Sequence, residues 1–203
     1  MKKIIFALFF VSAISFAQDS GEFEFGASLG VNFANVSAGE ESTDSKTGFN
    51  AGIQGEYYFS ETWGLKSELR YNQKGWGNGF IMDEETGDIK TVDVDLNYVT
   101  LAVMANWHFG STKRWYLNFG PYVGFLMSAE AGEIDFKEAM NTTDFGLSYA
   151  IGHKFPVGDS TKIFIEAGGQ SGFSNISKET DGADSVNVKT VTGMLNVGVL
   201  FAL

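Results

Sequence analysis

The chain has 203 residues and contains no cysteine. That excludes a disulfide framework, cysteine-ligated zinc and a thiol nucleophile. Basic residues are scarce: 14 Lys and Arg stand against 25 Asp and Glu, a formal net charge of -11, which argues against a nucleic-acid-binding surface. No apolar run reaches the roughly 20 residues a spanning helix needs, and nowhere beyond the first segment is a helical period sustained. Proline occurs twice and histidine twice. What the chain has in quantity is glycine, 25 residues, and aromatics, with 19 Phe, 7 Tyr and 4 Trp. The glycines show no three-residue period, so a collagen-like repeat is excluded. A hydrophobic content of 44% can bury a core, so the chain is not disordered. Its length fits a single domain.

Met1-Lys2-Lys3, an apolar stretch over 4–14 and the small-residue end Ser15-Phe16-Ala17 read as a secretory signal peptide over 1–17. The mature domain is then expected over 18–203.

Across that domain apolar and polar residues alternate in eight segments, over 23–33, 49–59, 63–71, 99–109, 115–127, 145–155, 163–173 and 191–203. The odd-numbered positions of these segments number 49, and none is Asp, Glu, Lys or Arg. The positions between them carry Glu24, Glu56, Lys66, Glu68, Arg70, Asp144, Lys154, Lys162 and Glu166. Period-2 alternation over about ten residues predicts strands of membrane-crossing length.

Alternation alone does not say which face points inward, and a soluble eight-stranded calyx would turn the apolar face in. Three features favour the opposite. The polar set is rich in Gly, which weakens a solvated strand but fits where side chains converge inside a narrow barrel. Aromatics of the apolar set gather at segment ends. Phe25, Tyr57, Phe59, Trp63, Trp107, Phe109, Trp115, Phe155 and Phe201 fall at one rim; Phe33, Phe49, Tyr71, Phe125, Phe145 and Phe173 fall at the other. Two girdles around an aliphatic band are what membrane interfaces select. Connections also alternate between short (60–62, 110–114, 156–162) and long (34–48, 74–96, 128–143, 174–189), the pattern of short periplasmic turns and longer outer loops. The predicted fold is all-β: an eight-stranded antiparallel up-and-down transmembrane barrel with both termini periplasmic. Pro121, which lacks a ladder donor, is expected at a bulge or a non-paired position.

The alternating segments, the run YVTLAVMANWHF over 98–109 and Phe119-Gly120-Pro121-Tyr122-Val123-Gly124 resemble the small outer-membrane β-barrel domains labelled PorT-like in Gram-negative bacteria. The architecture is similar to the transmembrane domain of OmpA and to OmpX. The resemblance implies a cell-envelope location and says little of activity, since fold does not set function. The terminal series Leu195, Val197, Val199, Phe201, Leu203 resembles the signal read by the barrel-assembly machinery, but ends in Leu rather than an aromatic residue.

Glu56, Lys66, Glu68 and Arg70, extended by Lys154 and Glu166, form the densest interior charge cluster. A tight turn at 60–62 sets Glu56 opposite Lys66 and Gln54 opposite Glu68. Buried charges require partners, so the cluster is expected to plug the lumen; a narrow path for protons or small solutes is the alternative. The long connections, with Asp144 at the end of the third, hold 17 acids against six Lys, a solvated surface or a contact for a surface partner. Phe80-Ile81-Met82 is expected to tuck onto the barrel rim. No metal site or cofactor is expected: Asp83-Glu84-Glu85-Thr86-Gly87-Asp88 is not an EF-hand loop. His108 and His153 lie on opposite strand faces near the turn end. That disfavours a histidine-based triad and makes the remaining alternative, an outer-membrane lipid-modifying enzyme, the weakest. Asp159-Ser160-Thr161 and Asp184-Ser185-Val186 resemble a bacterial O-glycosylation tripeptide.

Overall fold

The computed structural model describes residues 21–38, 41–82, 87–178 and 187–203. The expected signal peptide, the acids at 40, 83–85, 179, 181 and 184, and the tripeptide at 184–186 lie outside these residues, as do the side chains of Glu41 and Met82.

The strands are β1 (Phe23–Ala38), β2 (Glu41–Ser42), β3 (Lys46–Tyr58), β4 (Trp63–Met82), β5 (Ile89–Phe109), β6 (Trp115–Ala131), β7 (Ile134–Asp135), β8 (Thr143–Pro156), β9 (Thr161–Gly172) and β10 (Val188–Ala202). Eight of them are staves, joined antiparallel in the order β1-β3-β4-β5-β6-β8-β9-β10, and β10 pairs back onto β1. β2 and β7 are two-residue additions beside β1 and β6. Closure leaves no edge along the spanning part, the condition for a sheet in hydrocarbon, where backbone groups find no water. First and last strands meet in register from Glu24↔Ala202 to Ala38↔Val188, so both ends of the described chain lie at the turn end.

Residue parity sets the two faces. Odd-numbered Leu29, Ile53, Leu69, Leu101, Ile151 and Val197 point outward and are exposed; even-numbered Glu24, Asn50, Glu68, Asn106, Asn118 and Glu166 point inward and are buried. Glycines give the lumen its room. A Cβ on Gly152 would stand 2.2 Å from the Tyr116 ring, and one on Gly198 2.5 Å from the Phe164 ring. Phe164, the one large aromatic on the polar side of its segment, is fully buried inside. On the β5 side of Pro121 the ladder lapses between Ala102↔Tyr122 and Ala105↔Phe119 and resumes in the same register. Proline therefore sits where no hydrogen bond is asked of it.

The hairpin β4–β5 departs from expectation. Most of the described residues in the expected loop over 74–96 are strand: β4 runs on to Met82 and β5 starts at Ile89. The alternation was hidden by a register shift between Trp76 and Gly79 and by Asn78 in the left-handed region at φ 56°. A second shift between Asn97 and Tyr98 re-phases β6, so that Ala129 and Ala131 face inward. Phe80 does not tuck; it is 77% exposed on the projecting hairpin, while Ile81 packs toward Gly132.

Candidate functional site

The interior polar residues form three storeys stacked between the turn end and the loop end. At the turn end Lys154 of β8 donates to Glu24 Oε2 at 2.7 Å and Glu56 Oε2 at 2.6 Å, on β1 and β3. The Tyr58 hydroxyl lies 2.9 and 2.6 Å from these two carboxylates with one proton shared between them, and Asn106 Nδ2 donates to Glu56 at 2.8 Å. Lys162 completes the coordination of Glu24.

In the middle storey Lys66 Nζ donates to Glu166 Oε2 at 3.0 Å across the lumen and lies 3.2 Å from Glu68 Oε2. Arg70 Nε donates to Glu68 Oε1 at 2.6 Å, and its other nitrogens reach Asn50 and Ser28. Glu166 also accepts from Tyr116 at 3.2 Å, Asn118 at 3.1 Å and Asn196 at 3.3 Å. Lys66 sits 5.8 Å from the centroid of the Phe164 ring, which fills part of the lumen section. The gap left among Glu68, Arg70, Met104, Ser148 and Glu166 is about 10 Å³, at most the space of a single water.

Nearer the loops, Lys74 donates to Asp144 at 3.2 Å and lies 5.2 and 4.8 Å from the Tyr98 and Tyr122 rings. Asp144 further accepts from Tyr122 at 2.9 Å, Thr190 at 2.8 Å and Ser174 at 2.9 Å. Above this storey Val36, Leu96, Tyr98, Leu126, Met140 and Ile176 form an apolar core with Trp76, Phe136 and Val188 against it. Two connections are knitted across that cap: Asn141 N donates to Ile176 O at 2.8 Å and Lys178 N to Ala139 O at 3.0 Å.

All six residues of the predicted cluster lie inside, but in two storeys rather than one. Glu56 and Lys66 are register partners, as the turn requires, as are Gln54 and Glu68. Glu56 and Lys66 nevertheless form no ion pair with each other among the described residues: Glu56 binds Lys154, and Lys66 binds Glu68 and Glu166. Strand register finds neighbours along the wall, whereas a narrow lumen lets a long side chain reach the opposite wall. The third storey was missed because Lys74 fell in an expected loop. Asp144, also counted among the loop acids, is fully buried. The ladder is balanced: Glu24, Glu56, Glu68, Asp144 and Glu166 face Lys66, Arg70, Lys74, Lys154 and Lys162. A neutral, mutually paired set is what burial of so many charges demands.

On the outer face the predicted girdle residues occupy the two ends. At the turn end ring contacts run continuously through Trp63, Trp107, Phe109, Trp115, His153 and Phe155, with centroids 4.4 to 6.5 Å apart. Tyr57 and Phe59 lie at the same end of β3, and Phe25 meets Phe201 at 5.6 Å. At the loop end Phe49 meets Tyr71 at 5.5 Å, and Phe33, Phe125, Phe145 and Phe173 are exposed.

The interior opens at the turn end into a vestibule of about 620 Å³, lined among others by Tyr58, Glu61, His108, Lys113, Arg114 and Lys162. Lys113 donates to Glu61 in the facing turn, and that hydrogen bond holds the Glu61 carboxyl below the ordinary carboxylate range. Among the described residues no three of His, Cys, Asp or Glu are grouped to hold a metal ion.

The fold is shared with solved structures at low identity. Ail, the attachment invasion locus protein of Yersinia pestis, in complex with the heparin analogue sucrose octasulfate, is 18% identical with a TM-score of 0.51, covering 89% of this chain and 99% of its own. Neisserial surface protein A is 16% identical with a TM-score of 0.51, over 90% and 99%. OprG of Pseudomonas aeruginosa is 10% identical with a TM-score of 0.52, over 92% and 98%. No curated protein matches the sequence. The family model described as outer membrane protein beta-barrel domain matches residues 16–178. With its closed ring of eight staves and its apolar outer face, the chain belongs to that family of integral outer-membrane barrels.

Proposed function

We propose that the protein is a non-catalytic, sealed barrel that displays an acidic surface outside the cell and serves as membrane support or as the contact for a surface partner. The observation that carries this reading is the filled lumen. Three ion-paired storeys and an apolar cap stand in series, and a barrel of eight strands has little room beyond its own side chains. Both termini are periplasmic in this reading, the girdles rest at the two lipid headgroup levels, and the C-terminal series is what the assembly machinery engages.

The expected partner is cationic. Exposed Asp93, Glu130, Glu133 and Asp135 lie on the same projecting strands and turn as the exposed apolar Phe80, Ile89 and Ile134. Such a surface repels polyanions, so the heparin analogue seen with Ail is the wrong sign of ligand for this chain. Purified protein in planar bilayers is expected to give no large, stable conductance; porin-sized steps would refute the sealed-barrel reading. A pull-down from intact outer membranes then identifies the partner.

A further inference from the structure

The projecting parts of β4, β5, β6 and β7 share one sheet face that is apolar at its tip and acidic at its base. Side chains alternate along β5, so Ile89, Thr91, Asp93 and Asp95 lie on one face, while Val92, Val94 and Leu96 turn to the other. Register extends the first face sideways. Phe80 stands opposite Thr91, Glu130 opposite Asp95, and Asp135 opposite Glu130. Directly paired residues lie on the same side of a sheet, so Phe80, Ile89, Asp93, Asp95, Glu130 and Asp135 are presented together. Phe80 and Ile89 are diagonal neighbours, 77% and 68% exposed, and both lie well beyond the girdle residue Tyr71 of β4. No lipid covers them at that height.

Asp95, Glu130 and Asp135 form a row of like charges on three adjacent strands, an arrangement that costs stability. Its counter-charges are few. Lys46 pairs with Asp95, and Lys137 gives its Nζ to the Met127 carbonyl and its backbone N–H to Asp135. Asp93 and Glu130 form no ion pair with any described residue. Anionic lipid headgroups and polyanions are repelled by such a row, and a purely apolar surface satisfies only the tip. A segment with bulky apolar side chains at one end and cations at the other satisfies both. The extended form fits, because its alternate side chains repeat about every 7 Å on one side, the spacing of Ile89, Thr91, Asp93 and Asp95 along β5. We infer that this face docks an extended basic segment of a partner protein, with its cations against Asp93, Glu130 and Asp135 and its apolar side chains against Phe80 and Ile89. The inference rests on the reading of the barrel as the contact for a cationic surface partner, and narrows it to one face.

The test uses the full mature barrel in phosphocholine nanodiscs, with ¹³C-labelled isoleucine methyl groups read by NMR. The probe is an acetylated peptide whose alternate positions run Phe, Leu, Lys, Lys, with Ser between them. It is expected to move the Ile89 methyl resonance saturably and to leave that of Ile53, in the lipid band, in place. A charge-only peptide, with Ser for the Phe and Leu, is expected to bind about tenfold more weakly, through the lost apolar burial. Asp93→Asn combined with Glu130→Gln is expected to weaken the intact probe about fivefold, the worth of two exposed ion pairs. Both side chains are exposed, and unchanged heat-modifiable migration checks that the variant folds. The inference is overturned if the Ile89 resonance stays still, if the charge-only peptide binds as tightly as the probe, or if the double variant binds the probe unchanged. It is also overturned if protein concentration alone moves Ile89, which would seat a second copy on this face. Loss of binding in a barrel that gives no conductance overturns this inference and leaves the sealed-barrel reading standing.

Discussion

Glu166→Leu is expected to destabilise the barrel by about 3–5 kcal/mol, the cost of removing one member of a buried ion pair. Glu166 is the acceptor for Lys66, Tyr116, Asn118 and Asn196 at once. Without it Lys66 and Arg70 share Glu68 alone, and three neutral donors lose their partner beside a gap of only about 10 Å³. The double variant Lys66→Met with Glu166→Leu removes the charge with its counter-charge and is expected to recover most of the loss. Urea unfolding in lipid vesicles followed by tryptophan fluorescence measures both. A single variant within about 1 kcal/mol of wild type would mean that the lumen is wet enough to solvate Lys66 by itself.

The second large effect belongs to the other face. Leu29 is 65% exposed and stands four residues from Phe25 at one rim and from Phe33 at the other, so it marks the middle of the apolar band. Leu29→Arg is expected to cost about 2–4 kcal/mol, as charges on the lipid face do at the bilayer midplane. Phe25→Arg, at the turn-end rim, is expected to cost about 1 kcal/mol or less through its charge, because the guanidinium reaches the interface there. A soluble barrel would tolerate both substitutions equally, since each would place an arginine in water. The same unfolding assay compares them.

Much of this architecture was legible in the sequence because two independent constraints write the same period. Hydrocarbon forbids charge at odd positions, and a narrow lumen asks for Gly and paired polar groups at even ones. Glu56↔Lys66 and Gln54↔Glu68 followed from the short turn at 60–62, which leaves a hairpin little freedom of register. The expectation for Pro121 followed from its missing donor.

What was not legible lies where one constraint stops acting. Above the membrane no lipid enforces parity, so Asp93 and Asp95 sit on a strand that reads as a loop, and the shifts at Trp76 and Asn97 re-phase the pattern further. Lys74 and Asp144 were therefore separated on paper, although they meet at 3.2 Å. The lumen partners were not legible for a different reason. Lys66 with Glu166 and Lys154 with Glu24 span 100 and 130 residues of sequence, and the closure that brings them together is a property of the whole ring. The apolar cap of Met140 and Ile176 gives no local signal either, because single apolar residues in polar loops are common.

An apolar face turned toward hydrocarbon is the central claim, and intermolecular nuclear Overhauser effects in lipid nanodiscs measure it without any substitution. Methyl groups of Leu29, Ile53, Leu69, Leu101 and Val197 are expected to show contacts to lipid acyl chains, while those of Leu96, Met104 and Leu200 show none. Acyl contacts at the second group, or a folded protein that stays in solution without lipid or detergent with Leu29 and Ile53 shielded, would contradict it.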